Sequence, residues 1–139
     1  MTYISAALRR FVVERAGNCC EYCLVHQANR LLTYEVDHII AEKHGGPTEA
    51  DNLCLSCYIC NGYKGSDLSS VDWDGTGEVV PLFNPRKREW SQHFRLNGAR
   101  IEPLTPEGRV TVFLLRLNSD EHIAERNGLL RLGRYPCGS

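Results

Sequence analysis

The sequence has no apolar run near the roughly 20 residues that cross a bilayer, so it offers no membrane partner. It also lacks a charge imbalance: 16 Lys and Arg stand against 17 Asp and Glu, a formal net charge of −1. No whole-molecule basic field therefore announces a polyanionic partner, and any such binding rests on a local patch. Internal repeats and low-complexity tracts are missing too, which excludes solenoids and disordered tails. The opening stretch MTYISAALRRFVVERAG carries arginines inside its apolar residues and has no cleavage-like site after it. It reads as an amphipathic helix, not a secretory signal, and a cytoplasmic setting is the expectation. A length of 139 residues suits one compact domain, or a small core with an extension.

What the sequence has in excess is cysteine, at positions 19, 20, 23, 54, 57, 60 and 137. An odd count without a leader argues against a secreted disulfide scaffold. The spacing favours metal. Cys20-x2-Cys23 and Cys57-x2-Cys60 are two tight turns, each able to aim two thiolates at one ion, and together they complete a four-sulfur tetrahedral site of the kind zinc prefers. A thioredoxin-like redox role would need only one pair, in a βαβ context that is not present. Cys54-x2-Cys57 has ligand spacing as well, but Cys54 lies in the apolar run Leu53-Cys54-Leu55, where a small buried thiol fits. Cys19 is read as a packing residue and Cys137 as no ligand.

Along the chain, Ser5 caps a helix over 6–16, with Leu8, Phe11 and Val12 on its apolar stripe and Gly17-Asn18 at its end. Residues 31–40 are rich in Leu, Ile, Val and Tyr and hold a strand that ends near Asp37-His38. Residues 52–55 form the returning strand, and 57–64 a short helix released by Gly65. The polar, glycine-containing stretch 66–77 is the expected boundary, giving a unit over 1–66 and an extension over 67–139. In the extension, residues 78–83 and 99–102 read as extended and Trp90, His93 and Phe94 crowd a short helix. Thr105-Pro106 starts a helix to Leu117 with Val110, Phe113, Leu114 and Leu117 on its apolar face, and Ser119 caps a last helix to about Leu132. The mixture is α+β.

Between the cysteine pairs lie Val36-Asp37-His38-Ile39-Ile40, Gly45-Gly46 and Asp51-Asn52-Leu53. Asn61 follows the last zinc cysteine, and Lys64-Gly65 comes soon after. Through CEYC, VDHIIAEKHGG, the NL pair and CYICNGYKG, over about 20–65, the chain resembles the HNH endonuclease family. LFNPRKREWSQHF and LTPEGRVTVFLLRLN more weakly resemble an extension of some small bacterial HNH proteins. The resemblance implies a ββα-metal (His-Me finger) core with zinc knuckles, flanked here by an N-terminal helix and a C-terminal α/β extension. By position, the first histidine of the family is His38, the central asparagine is Asn52, and the third position is Asn61, an HNN variant.

The implied activity is metal-dependent hydrolysis of DNA phosphodiesters. His38 is the general base, since an imidazole with a pKa of about 6.5 can take a proton from water near neutral pH. Asp37 and Asn61 hold Mg²⁺ or another divalent cation through oxygens, and Asn52 fixes the loop that bears His38. A local excess of positive charge over 81–101, where Arg86, Lys87, Arg88, Arg95 and Arg100 face the single acid Glu89, offers phosphate contacts; Arg86, Lys87 and Arg88, with Lys64, are the expected ones. A homodimer would help cutting of both strands. His44 reads as a surface loop residue and Glu35 as a solvent-facing one. The alternative is a zinc-ribbon module that binds nucleic acid or protein without catalysis.

Overall fold

The computed structural model describes residues 2–138. Helix α1, Ala6–Arg15, begins where the Ser5 hydroxyl accepts a hydrogen bond from the Leu8 N–H at 3.1 Å. It is followed by Gly17 and Asn18, both left-handed with φ near 60°, a conformation that Gly and Asn adopt most readily. Its inner side presents Leu8 and Val12, four residues apart, and Ile4 from just before the cap packs against the same core. Phe11, expected on that stripe, is exposed instead, with the Arg15 guanidinium 5.2 Å from its ring centroid.

Strands β1, Glu35–His38, and β2, Leu53–Ser56, form an antiparallel hairpin in which Asp37 lies opposite Cys54 and His38 opposite Leu53. The strand expected over 31–40 is therefore four residues long. Its upstream end stops because the Tyr34 N–H donates to the Gln27 side chain at 2.7 Å, not to a neighbouring strand, and Leu31 and Leu32 are left in solvent. The long hairpin connection holds two short 3-10 turns, Glu42–His44 and Ala50–Asn52. Helix α2, Tyr58–Lys64, follows β2; Cys57 caps it and Gly65, at φ 52°, releases it.

The polar stretch after α2 is not an open linker. Strand β3, Ser69–Val71, lies within it and pairs with β4, Val79–Pro81. Buried Asp72 organises the turn between them: it accepts from the Thr76 N–H at 2.9 Å and from Arg109 Nε at 2.9 Å. Gly75 is needed there, because a Cβ would come within 2.5 Å of the Asp72 carboxylate. Arg109 and the turn donors hold the Asp72 carboxyl well below the usual carboxylate range. A depressed folded-state pKa stabilises the fold above the unfolded value, about 3.9, and that stability is lost as pH falls. Asp72→Asn is thus expected to lower the urea midpoint at pH 7, with the gap to wild type narrowing below about pH 4. A gap that stays constant down to pH 2 would contradict this role.

Helix α3, Trp90–His93, leads into the hairpin of β5, Phe94–Asn97, and β6, Arg100–Pro103, whose two-residue turn places Gly98 at φ 58°. Thr105 caps α4, Pro106–Leu114, with Pro106 in the first turn. This helix ends earlier than expected: Arg116 turns to φ 52°, which sends Leu115 and Leu117 into the core and leaves Phe113 exposed. Ser119 caps α5, Asp120–Arg131. From α5 the buried Arg126 donates to the carbonyls of Ala99 at 2.7 Å and Leu117 at 2.6 Å, joining the β5–β6 turn to the end of α4.

One core cluster contains Val12, Tyr22, Leu53, Leu55, Phe83, Phe94, Ile101 and Tyr135 together with the cysteines of both CxxC turns. The tail closes over the first of those turns, where Tyr135 donates to the Cys23 carbonyl at 2.8 Å and the Cys137 N–H to that of Leu24 at 2.9 Å. This return brings Cys137 to Cys19, Cα to Cα 5.9 Å, in a disulfide. Cys19 is thus a cross-link and not the packing residue expected. Such bonds are rare in reducing compartments, so the pair lends no support to the cytoplasmic expectation. No described helix is long and apolar enough to cross a membrane.

Candidate active site and metal centre

The Sγ atoms of Cys20, Cys23, Cys57 and Cys60 all lie within 4.8 Å of one another, and all four side chains are buried. Cys23 and Cys57 are 3.9 Å apart at sulfur. A tetrahedron with zinc–sulfur bonds of about 2.3 Å has edges of about 3.8 Å, so the donor set fits zinc. Two short turns create it: 20–23 after α1, and 57–60 at the start of α2, where the Cys60 N–H donates to Cys57 Sγ at 3.3 Å. Cys54 stands apart, 3.9 Å from the Tyr22 hydroxyl, and burial pushes its thiol up to about 12. It is a neutral packing residue, not a thiolate ligand.

The same two turns pin the β1–β2 hairpin against α2 and so fix what β1 carries. His38 is its last residue. His38 Nε2 lies 2.9 Å from Thr48 Oγ1 and 3.4 Å from Glu42 Oε1. A carboxylate only accepts, so a protonated Nε2 is the form that suits Glu42, while the Thr48 hydroxyl can donate or accept. Nδ1 makes no hydrogen bond among the described residues. Glu42 is itself held by Thr2, whose hydroxyl donates to Oε2 at 2.6 Å. Neither Glu42 nor Thr48 was singled out from the sequence; the one available hint was the four-residue offset of Glu42 from His38.

Asp37 is half-buried. Burial raises its carboxyl pKa, opposed by the charge of Lys64 and the backbone N–H of His38. Asn61, also half-buried, sits on α2, and its side-chain amide has no hydrogen-bond partner among the described residues. A desolvated carboxylate and an unsatisfied amide oxygen are the donor types a hard cation takes. Asn52 is fully engaged: Oδ1 accepts from the Ile40 N–H, and Nδ2 donates to the carbonyls of Ile40 and Pro47, each at 2.9 Å. It ties both ends of the loop that follows His38. Gly46 passes so close beneath that a Cβ there would lie 1.7 Å from the Ile40 carbonyl oxygen.

Residues 20–67, about a third of the chain, match the family model described as HNH endonuclease. No curated protein and no solved structure matches the chain significantly. Residues 20–67 are an HNH domain. The HNH domain thus begins at the first zinc cysteine and includes Asp37, His38, Asn52, Asn61 and Lys64, while α1 and everything after Asp67 lie outside the match.

The basic residues divide. Arg86, expected to contact phosphate, is instead paired with Glu21 of the zinc knuckle, and both side chains are largely buried. Glu21 also accepts from the Leu55 N–H, so Arg86 braces the knuckle through one nitrogen while its Nε has no hydrogen-bond partner among the described residues. Lys64 is buried, and its Nζ donates to the Ile39 carbonyl at 3.0 Å. Lys87 is exposed and Arg88 half-exposed, the latter with Glu107 at 3.6 Å. Arg95 is bound to Glu102. His44 lies at the surface, with its ring 3.2 Å from the Ser66 carbonyl, and Glu35 faces solvent.

Proposed function

We propose that the protein is a metal-dependent endonuclease that hydrolyses DNA phosphodiester bonds. The observation that carries this reading is His38 within an HNH domain, with Nε2 engaged by Thr48 and Glu42, Nδ1 unengaged, and Asp37 next to it. His38 Nδ1 takes the proton of the attacking water, and the Glu42 carboxylate steadies the imidazolium that forms. Asp37 and Asn61 would hold Mg²⁺ or a similar cation, which when bound polarises the scissile phosphate and relieves charge on the leaving 3′ oxygen. Asn52 keeps the loop after His38 from drifting, and the four cysteines hold zinc as a structural ion with no open position for substrate.

The reading is tested by the ends it leaves. Departure of the 3′ oxygen gives 5′-phosphate and 3′-hydroxyl ends, which a ligase rejoins; 3′-phosphate ends would contradict it. Asp37→Ala should need more Mg²⁺ or Mn²⁺ for half-maximal cleavage. Gly46→Ala tests the loop separately. Its Cβ would displace the Ile40 carbonyl or the Asn52 amide, so cleavage should drop about 100-fold with zinc content unchanged. An unaltered rate in that variant would mean that the loop does not position His38.

A further inference from the structure

The HNH domain and the segments after it form an open cavity of about 250 Å³ just past the end of the catalytic strand, lined by Ile39 and Ile40 from the domain and by Leu68, Leu82 and Phe83 from the segments after it. We propose that this cavity receives one nucleotide of the DNA strand next to the scissile phosphate, with its base between the apolar walls and its phosphate on the cations at the mouth. This rests on the nuclease reading of His38.

Three features point to a nucleotide and not to a lipid or a peptide side chain. The first is size: the volume lies just below the roughly 300 Å³ at which pockets for drug-sized ligands begin, which suits a single base with part of its sugar. The second is charge. Lys64, only 2% exposed, lines the cavity, and of the three N–H donors of its ammonium only one is used among the described residues, on Ile39. Lys87 at the mouth has no carboxylate within 4 Å among the described residues, and Arg88 beside it remains half-exposed despite Glu107. The third is the polar edge. Asn84 Oδ1 accepts from the backbone N–H groups of Arg86 and Lys87, and Nδ2 is unused among the described residues, while Asp67 and Glu107 supply acceptors. Donors and acceptors at the rim of an apolar slot are what the edge of a base requires. The elements after Asp67 thereby acquire a task, since they line a site together with Ile39 and Ile40, the two residues that follow His38.

The test uses the full-length zinc-loaded protein and three probes: thymidine 3′,5′-bisphosphate, deoxyribose 5-phosphate and inorganic phosphate. Amide chemical shifts locate binding and titration gives affinity. The bisphosphate is expected to shift Leu68, Leu82, Phe83 and Asn84, and to bind roughly tenfold more tightly than either base-free probe. Leu68→Trp fills the cavity from its exposed side and should weaken the bisphosphate roughly tenfold, as should Lys87→Ala with Arg88→Ala. Equal affinity for the base-free probes, or shifts confined to other surfaces, would overturn the proposal. Wild type that cuts plasmid but binds no bisphosphate refutes the pocket and leaves the nuclease standing. Wild type that binds it in the cavity but never cuts keeps the pocket and refutes the nuclease.

Discussion

Cys20→Ser is expected to lose its zinc and to show no cooperative unfolding transition at 25 °C. The four cysteines belong to the same buried cluster as Tyr22, Leu55, Phe83 and Tyr135, so a zinc ion held by them would sit inside the hydrophobic core and not beside it. Structural zinc contributes an apparent 10–16 kcal/mol or so in small sites, whereas a whole domain is stable by about 5–15 kcal/mol. Loss of the ion therefore exceeds what the remaining packing can offset. Cys54→Ala is the matched control: it removes a buried thiol from the neighbouring strand and should keep one zinc per chain. Elemental analysis and far-UV circular dichroism on both variants decide the matter. Retention of zinc by Cys20→Ser, or its loss from Cys54→Ala, would contradict the ligand assignment.

His38→Ala should slow cleavage by about 10²–10⁴-fold, the range that a positioned general base supplies. Among the described residues the imidazole bonds to Thr48 and lies 3.4 Å from Glu42, both in the loop that follows it. The variant should therefore keep its zinc, its thermal transition and its affinity for DNA. That combination separates a catalytic role from a structural one, because a structural histidine would lower the transition temperature along with the rate. A variant that is as active as wild type would remove His38 from the mechanism.

Features carried by short spacing were legible in the sequence. The two CxxC turns announced a four-sulfur site because two intervening residues bring two thiolates to one point, and the caps at Ser5, Thr105 and Ser119 lie where hydroxyl residues precede helical patterns. Features made by chain return were not. Arg86 reads as one of a basic run, yet its partner Glu21 is 65 positions away. Cys19 and Cys137 are separated by 118 positions and meet only because Tyr135 docks on the knuckle. Phe11 and Phe113 share a helical period with buried neighbours, but each helix offers the core a narrower face than periodicity suggests. Around His38, the partners of Nε2 are Thr48 and Glu42, whose approach depends on how the loop of residues 39–52 folds back, and no spacing rule specifies that.

The most direct measurement is the conversion of supercoiled plasmid by the zinc-loaded wild-type protein, with and without added Mg²⁺, beside an equal amount of folded His38→Ala. The account predicts nicked or linear DNA only where wild type and Mg²⁺ are together. Plasmid and single-stranded DNA that stay intact under Mg²⁺ and Mn²⁺, with zinc bound and the protein folded, would contradict it and leave a zinc-stabilised binding module in its place.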